Sequence, residues 1–362
     1  MTNEDLEQRE QLLREALDRF TGRFEPTQPD WARIEHRHLG ATRAIRSRRT
    51  LGLVLAPAVI AACIVLVAGV LLRPEQVRSP LAQAGGFVGP QYAAVVPTPV
   101  FAPGTTMAAI QARGFIRVGI KFDQPNFGVR EGATNDVVGF DAEIAKLLAV
   151  GIFGGSVSDV GSRIRWVEAQ SKNREAFLQG GTVDIVVATY SIADDRKELV
   201  DFVGPYFLAR QDIMVRADDR SITGVDSLTG KRVCTAQGST SYQHLVERNP
   251  QAIPVLRDTY SDCSIALTRG DVDAVTTDQG ILEGYAHESG GRLRVLYNPL
   301  WDEPYGIGLH KGDDAFRTFL NDRLVQVMAN GDWSRAARYS LSNHDLLPPA
   351  VVPQNSPATG SS

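Results

Sequence analysis

An α/β architecture in two lobes is what this 362-residue chain predicts, and three observations carry it. Short apolar strands alternate with helix-length stretches from residue 116 onward, the pattern of a largely parallel sheet covered by helices. A second set of the same kind interrupts the first, which resumes near residue 304. The chain crosses between the two sets near Tyr206–Asp212 and again near Leu300–Tyr305. Two crossings make a hinge, and a hinge between lobes implies a ligand cleft. An uncharged run, Leu51–Leu72, precedes all of this and predicts a single transmembrane helix.

Composition narrows the function classes. The formal net charge of -4 gives no general attraction to nucleic acid or an anionic membrane. No basic stripe is interleaved with aromatics, so no nucleic-acid partner is expected. The six histidines are scattered without metal-ligand spacing. His36 and His38, the close pair, read as part of a solvated polar segment. No metal or other cofactor is expected.

Residues 1–50 form a polar tail. Leu6, Leu13, Leu17 and Phe20 fall at helical spacing, giving a short amphipathic helix that is marginal alone in water. Arg33, Arg37, Arg43, Arg46, Arg48 and Arg49 then gather ahead of residues 51–72. That run is long enough to cross the hydrocarbon core. The positive-inside rule puts residues 1–50 in the cytoplasm and everything after Arg73 outside, as a single-pass protein of the cell membrane. A cleaved signal peptide has a shorter apolar stretch and a much shorter charged region. Ile60-Ala61-Ala62-Cys63 resembles a lipoprotein processing site, yet the apolar run continues past Cys63. Residues 73–104 are rich in Pro, Ala and Gly and read as a linker with a free reach of roughly 30 Å.

Lobe one is assigned residues 105–207 and 304–341, and lobe two residues 208–303. Ile116, Val118, Ile120 and Phe122 mark the first strand; residues 139–154 read as a helix; Ile164 and Trp166 mark a second strand. The stretch Ser171–Lys197 reads as a short helix, a Gly-Gly turn, a buried strand through Val183, Ile185, Val186 and Val187, and a polar loop. In lobe two, strands are expected at Ile213–Val215, Arg232–Thr235 and Val272–Thr276, with helices after Ser241 and over Ser261–Arg269. Helices Asp314–Ala329 and Trp333–Ser340 close lobe one, and residues 342–362 read as a disordered tail.

Ligand sites of parallel sheets lie beyond the carboxyl ends of the strands. Thr189, Ser191 and Arg196 occupy such an end, and a guanidinium suits a carboxylate. The structural alternative makes Arg196 one of a surface run with Asp194, Asp195 and Lys197. Gly238-Ser239-Thr240-Ser241, between a strand and a helix start, suits an anion or simply caps the helix. Asp278 either accepts from an ammonium or caps the helix that follows it. Lys121 and Arg174 either face the cleft or are solvated surface cations.

Several of these stretches together resemble a family. VGIKFDQPNFG at 118–128, GFDAEIAK at 139–146, AQSKNREAFLQGGTVDIV at 169–186 and ATYSIADDRKELVDFVGPYF at 188–207 carry the likeness. CTAQGSTS at 234–241 and GDVDAVTTDQGIL at 270–282 continue it. In that order, from Arg113 to Leu341, they resemble the periplasmic-binding-protein type II solute receptors, in particular the glutamate-binding components of ABC importers. The resemblance implies that Arg196, Ser191 and Thr189 hold an amino acid's α-carboxylate from lobe one, helped by Ser239 and Thr240 from lobe two. Asp278 would pair with the α-ammonium, and Lys121 and Arg174 would read an acidic side chain. Asn126 and Phe127 fall where such receptors place aromatic cover. The implied partners are glutamate, with aspartate or glutamine as other candidates, and an ABC transporter permease. Cys234 and Cys263 share lobe two outside the cell, where a disulfide is permitted, and form the expected pair. Two other classes stay open: a sensor whose residues 1–50 recruit a cytoplasmic partner, and an enzyme on the same fold, for which no nucleophile–base pair is visible.

Overall fold

A computed structural model describes residues 90–92, 95–132, 136–341 and 349, all within the unit Ala84–Ser362. The expected cytoplasmic tail, the transmembrane helix over 51–72 with Cys63, the first part of the linker and all but Pro349 of the C-terminal tail lie outside the described residues. Among those described, no helix is long and apolar enough to cross a membrane.

Lobe one begins with α1 (Thr106–Arg113), capped by the Thr105 hydroxyl, and β1 (Ile116–Ile120). Three short strands, β2 (Asp123–Gln124), β3 (Gly128–Arg130) and β4 (Val137–Val138), make a small separate sheet. In α2 (Phe140–Phe153) nearly every residue is buried, as expected of a helix that is apolar all round. There follow α3 (Val157–Val160), β5 (Ile164–Glu168), α4 (Arg174–Gln179), β6 (Ile185–Val186) and α5 (Asp194–Leu199). The next strand, β7 (Asp201–Arg216), leads into lobe two: β8 (Arg232–Ala236), α6 (Thr240–Arg248), β9 (Ile253–Arg257), α7 (Tyr260–Arg269), β10 (Ala274–Asp278), α8 (Gln279–Glu288) and β11 (Leu293–Val295). The return strand β12 (Asp302–Leu309) precedes α9 (Asp314–Ala329) and α10 (Asp332–Ser340).

The main sheet runs β5-β1-β6-β12-β7-β10-β8-β9, with β11 on β7. Parallel pairs β1/β5 and β1/β6 form lobe one, and parallel pairs β8/β10 and β8/β9 form lobe two. Between them β7 and β12 pair antiparallel from Asp302↔Arg210 to Leu309↔Asp201. The hinge is therefore this two-stranded ribbon. The expected start of a fresh strand at Ile213 is corrected: one 16-residue strand serves both lobes, and the 207/208 boundary falls inside it. It is buried almost throughout, but Leu208 and Arg210 are exposed. Two residues apart on a strand, they share the face left bare between the lobes.

The expected linker is corrected at its end. Val96 and Gly155 exchange backbone hydrogen bonds of 2.9 and 2.7 Å. Gln111 Nε2 donates to Pro99 O at 3.0 Å, and the Phe101 ring meets Phe319 edge-on. Gly154, at φ 70°, lets the strap approach, since a Cβ there would lie 2.6 Å from Thr98 Cα. Prolines block regular elements but do not prevent such docking. In lobe two the expected disulfide joins Cys234 on β8 to Cys263 on α7.

Candidate functional site

The carboxyl end of β6 turns sharply at Thr189, whose φ of 45° is left-handed and strained for a β-branched residue. Asp141 on α2 holds it there. Its Oδ2 accepts from the Thr189 amide at 2.8 Å, and its Oδ1 from the Tyr206 hydroxyl at 2.6 Å. Burial pushes the Asp141 carboxyl up to about 7, although both hydrogen bonds oppose the shift.

That turn aims carbonyls at Arg174, the first residue of α4. Its Nη1 donates to Ala188 O at 3.1 Å and its Nε to Ser171 O at 3.3 Å. The guanidinium also lies 4.2 Å over the Tyr190 ring. Burial, and then the nearby Arg196, lower Arg174 to about 10, so it stays charged at neutral pH. Arg196, buried on α5, stands 5.1 Å over the same ring. It donates to Ser191 O at 2.8 Å and, across the cleft, to Gly238 O at 3.1 Å. Lys121 follows β1 and donates to Ser171 Oγ at 3.0 Å. Burial first, then Arg174, bring it down to about 7.

Lobe two supplies the opposite wall. The Ser239 hydroxyl caps α6, accepting from the Tyr242 amide at 3.1 Å and donating to Ala236 O at 2.7 Å. For this hydroxyl the capping alternative holds. Thr240 Oγ1 stands 3.3 Å from Ser191 Oγ of lobe one. Asp278 occupies the cap position of α8, yet its side chain makes no cap bond. Its Oδ2 accepts instead from the Tyr305 hydroxyl, while the buried Oδ1 has no partner. Burial, and then Glu303, push the Asp278 carboxyl well above its usual range.

With the lobes closed, these groups leave a narrow cavity of about 10 Å³ between them. Arg174, Thr189, Ser191, Ser239, Thr240 and Asp278 line it. Lys121 does not; it stands one hydrogen bond behind the wall, through Ser171. Arg196 is also absent from the lining and braces one lobe against the other. Ser171, Ser241, Tyr260, Thr277 and Ile281 complete the wall; of these, the sequence reading marks only Ser241, within Gly238-Ser239-Thr240-Ser241. Thr277 adjoins Asp278 and Ser171 opens the Ser171–Lys197 stretch, but no pattern announces Tyr260. The expected aromatic cover is corrected: Phe127 is fully buried against Phe207 and Tyr305 in the core. With Asn126 it borders a different, larger space of about 170 Å³ beside the hinge. The smaller cavity is the one on which the buried side chains of Arg174 and Asp278 converge.

Across the cleft the lobes touch. Asn126 Nδ2 donates to Gly280 O at 2.9 Å, Tyr285 OH to Asp123 O at 2.6 Å, and Gln243 Nε2 to Asp195 Oδ2 at 3.0 Å. Lys172 pairs with Asp258.

A hinged pair of α/β lobes closed over a small polar cavity defines a solute-binding protein. The sequence pattern of the bacterial extracellular solute-binding proteins, family 3, matches residues 116–340, and the chain belongs to that family. The glutamate-binding protein GluB of Corynebacterium glutamicum is 37% identical over 247 residues, 67% of this chain and 83% of that protein. The ABC transporter glutamine-binding protein GlnH of Bacillus subtilis is 36% identical over 227 residues, 62% of this chain and 81% of its own. Among solved structures, an ancestral arginine-binding protein bound to glutamine superposes with a TM-score of 0.58 at 30% identity, covering 63% of this chain and 98% of that one. The relatives are binding proteins, and this chain is likewise a binding protein and not an enzyme.

Proposed function

We propose that the chain captures an acidic amino acid, glutamate foremost, outside the cell and presents it to the permease of an ABC importer. The charge arrangement of the cavity carries this reading. The orphaned Oδ1 of Asp278 suits an α-ammonium. Arg196 takes the α-carboxylate by exchanging its bond to Gly238 O, aided by N–H groups at the start of α6. Arg174 in the wall and Lys121 behind Ser171 are then left facing the side chain. Buried cations without an anion are costly, and a second carboxylate answers both. The names of GluB and GlnH support an amino acid as the solute and, for GlnH, an ABC transporter as the destination. Thermal unfolding of the chain against the common amino acids tests this. A solute selective for the native state raises the melting temperature, and glutamate should raise it most. A larger rise with glutamine or arginine refutes the acidic assignment.

The reading extends to an uncleaved anchor over residues 51–72 with the N-terminus in the cytoplasm. Protease added to intact cells should remove everything beyond Arg73 and spare the tail. A mature chain beginning at lipid-modified Cys63 refutes the anchor. The fifty residues before it favour a second reading, a sensor with a cytoplasmic partner, which a pull-down with residues 1–50 would reveal.

A further inference from the structure

Glu303 is a carboxylate to which the solute reading gives no task. It lies on β12 in the hinge and is only 2% exposed. An ionised group in such a place needs hydrogen bonds; Glu303 receives one on Oε2, while its buried Oε1 has none. Thr240 Oγ1, at the start of α6, donates to its Oε2 at 3.0 Å. His244 Nδ1, one turn further along, is 3.3 Å from Oε1. From lobe one, Ser191 Oγ stands 3.3 Å from Thr240 Oγ1, and because the Thr240 proton goes to Glu303, Ser191 is the donor in that pair. Burial pushes the carboxyl up, but His244, Ser191 and Thr240 outweigh burial and hold it below the usual range.

Hydroxyl chemistry then sets a direction. An ionised carboxylate only accepts, and each hydroxyl has one proton to give. Thr240, committed to Glu303, and Ser191, committed to Thr240, have none left for a solute carboxylate and show the cavity only lone pairs. Asp278 lines the same cavity with an acceptor oxygen unpartnered.

On the reading that the solute is an amino acid, we propose that Glu303 is a positioning residue for its ammonium. By drawing two hydroxyl protons out of the cleft, it turns the Ser191 and Thr240 oxygens into acceptors beside Asp278. One hydroxyl belongs to each lobe, so this acceptor set is complete only when the lobes are closed.

Calorimetric titration of the full chain with glutamate and with glutarate, which keeps both carboxylates and lacks the ammonium, tests the assignment. Wild type should prefer glutamate. Glu303→Gln presents an amide that donates as well as accepts, so one hydroxyl can reverse. It should cut the preference about ten- to a hundredfold, the range for a hydrogen bond to a charged group, with little loss of glutarate binding. Thr240→Val keeps the shape and leaves Glu303 in place, and should cut the preference in the same sense. Equal loss of both ligands in the two variants marks a merely structural role and overturns the proposal, as does an unchanged preference. If wild type binds no amino acid, the solute reading itself fails. If wild type binds glutamate and neither variant moves the preference, the Glu303 assignment alone fails.

Discussion

If glutamate's second carboxylate is read by Lys121, the affinity for glutamate must depend on pH in a way that affinity for glutamine does not. Lys121 sits at about 7 when the cavity is empty, because burial and Arg174 disfavour its charge. A carboxylate arriving beyond Ser171 favours the charged form and moves the pKa back up. The sign follows from linkage. Below pH 7 the ammonium is already charged, and binding takes up no proton there. Above pH 7 a proton must be drawn from solution, so glutamate affinity falls as pH rises, by up to about tenfold per unit until the bound pKa is passed. Glutamine carries no second charge and makes no such demand. The solute's own α-ammonium titrates equally in both, so the ratio of the two affinities isolates Lys121. Between pH 7 and 8.5 that ratio should fall by up to about fifteenfold. Calorimetry at pH 6.5, 7, 7.5, 8 and 8.5 measures it, and Lys121→Met should flatten it. A ratio independent of pH in wild type, or a slope that survives Lys121→Met, refutes the role of Lys121 in reading the side chain.

Three further outcomes are expected. Arg174→Met, which keeps much of the packing on Tyr190, should weaken glutamate by about 2–5 kcal/mol, the usual effect of truncating a buried charge pair. Glutamine should lose far less, and equal losses by calorimetry would show that Arg174 does not read the side chain. Replacing Cys234 and Cys263 together by Ala opens a cross-link of sequence separation 29 and should lower stability in urea by about 3–4 kcal/mol; an unchanged midpoint would contradict this. Gly284→Ala places a Cβ 2.6 Å from Pro125 Cβ, a clash made between the lobes when they are closed. Overpacking of this kind costs about 1–3 kcal/mol, so every solute should weaken about five- to a hundredfold, with the unliganded melting temperature unmoved.

Helix α9 shows what sequence patterning conveys well. Its limits, Asp314–Ala329, are those expected, because Asp313 caps one end and Asn330-Gly331 stops the other. Strand β7 shows the opposite case. Gly204-Pro205 near its start reads as a break, and only pairing with β12 reveals one continuous strand. The docked strap at Val96–Phe101 was hidden for the same reason, since its partners Gly155, Phe153 and Phe319 are more than fifty residues away. At the site, residue types at strand ends pointed to the cavity wall. They did not disclose that Lys121 stands behind Ser171, or that Thr189 is held left-handed by Asp141. Those facts depend on which side chains meet in three dimensions, and on one dihedral that no local pattern encodes.

The docking of that strap gives the molecule a fixed frame and a moving part. Each partner of Val96, Thr98 and Phe101 named here, namely Gly155, Phe153 and Phe319, belongs to lobe one. A tether or a pull transmitted along the chain from upstream therefore arrives at lobe one, and the β7–β12 ribbon stands between it and lobe two. Lobe one behaves as a door frame and lobe two as the door. Capture of a solute becomes a displacement of α6, α7 and α8 against a reference that stays put, a geometry in which a docked neighbour senses occupancy from one side alone.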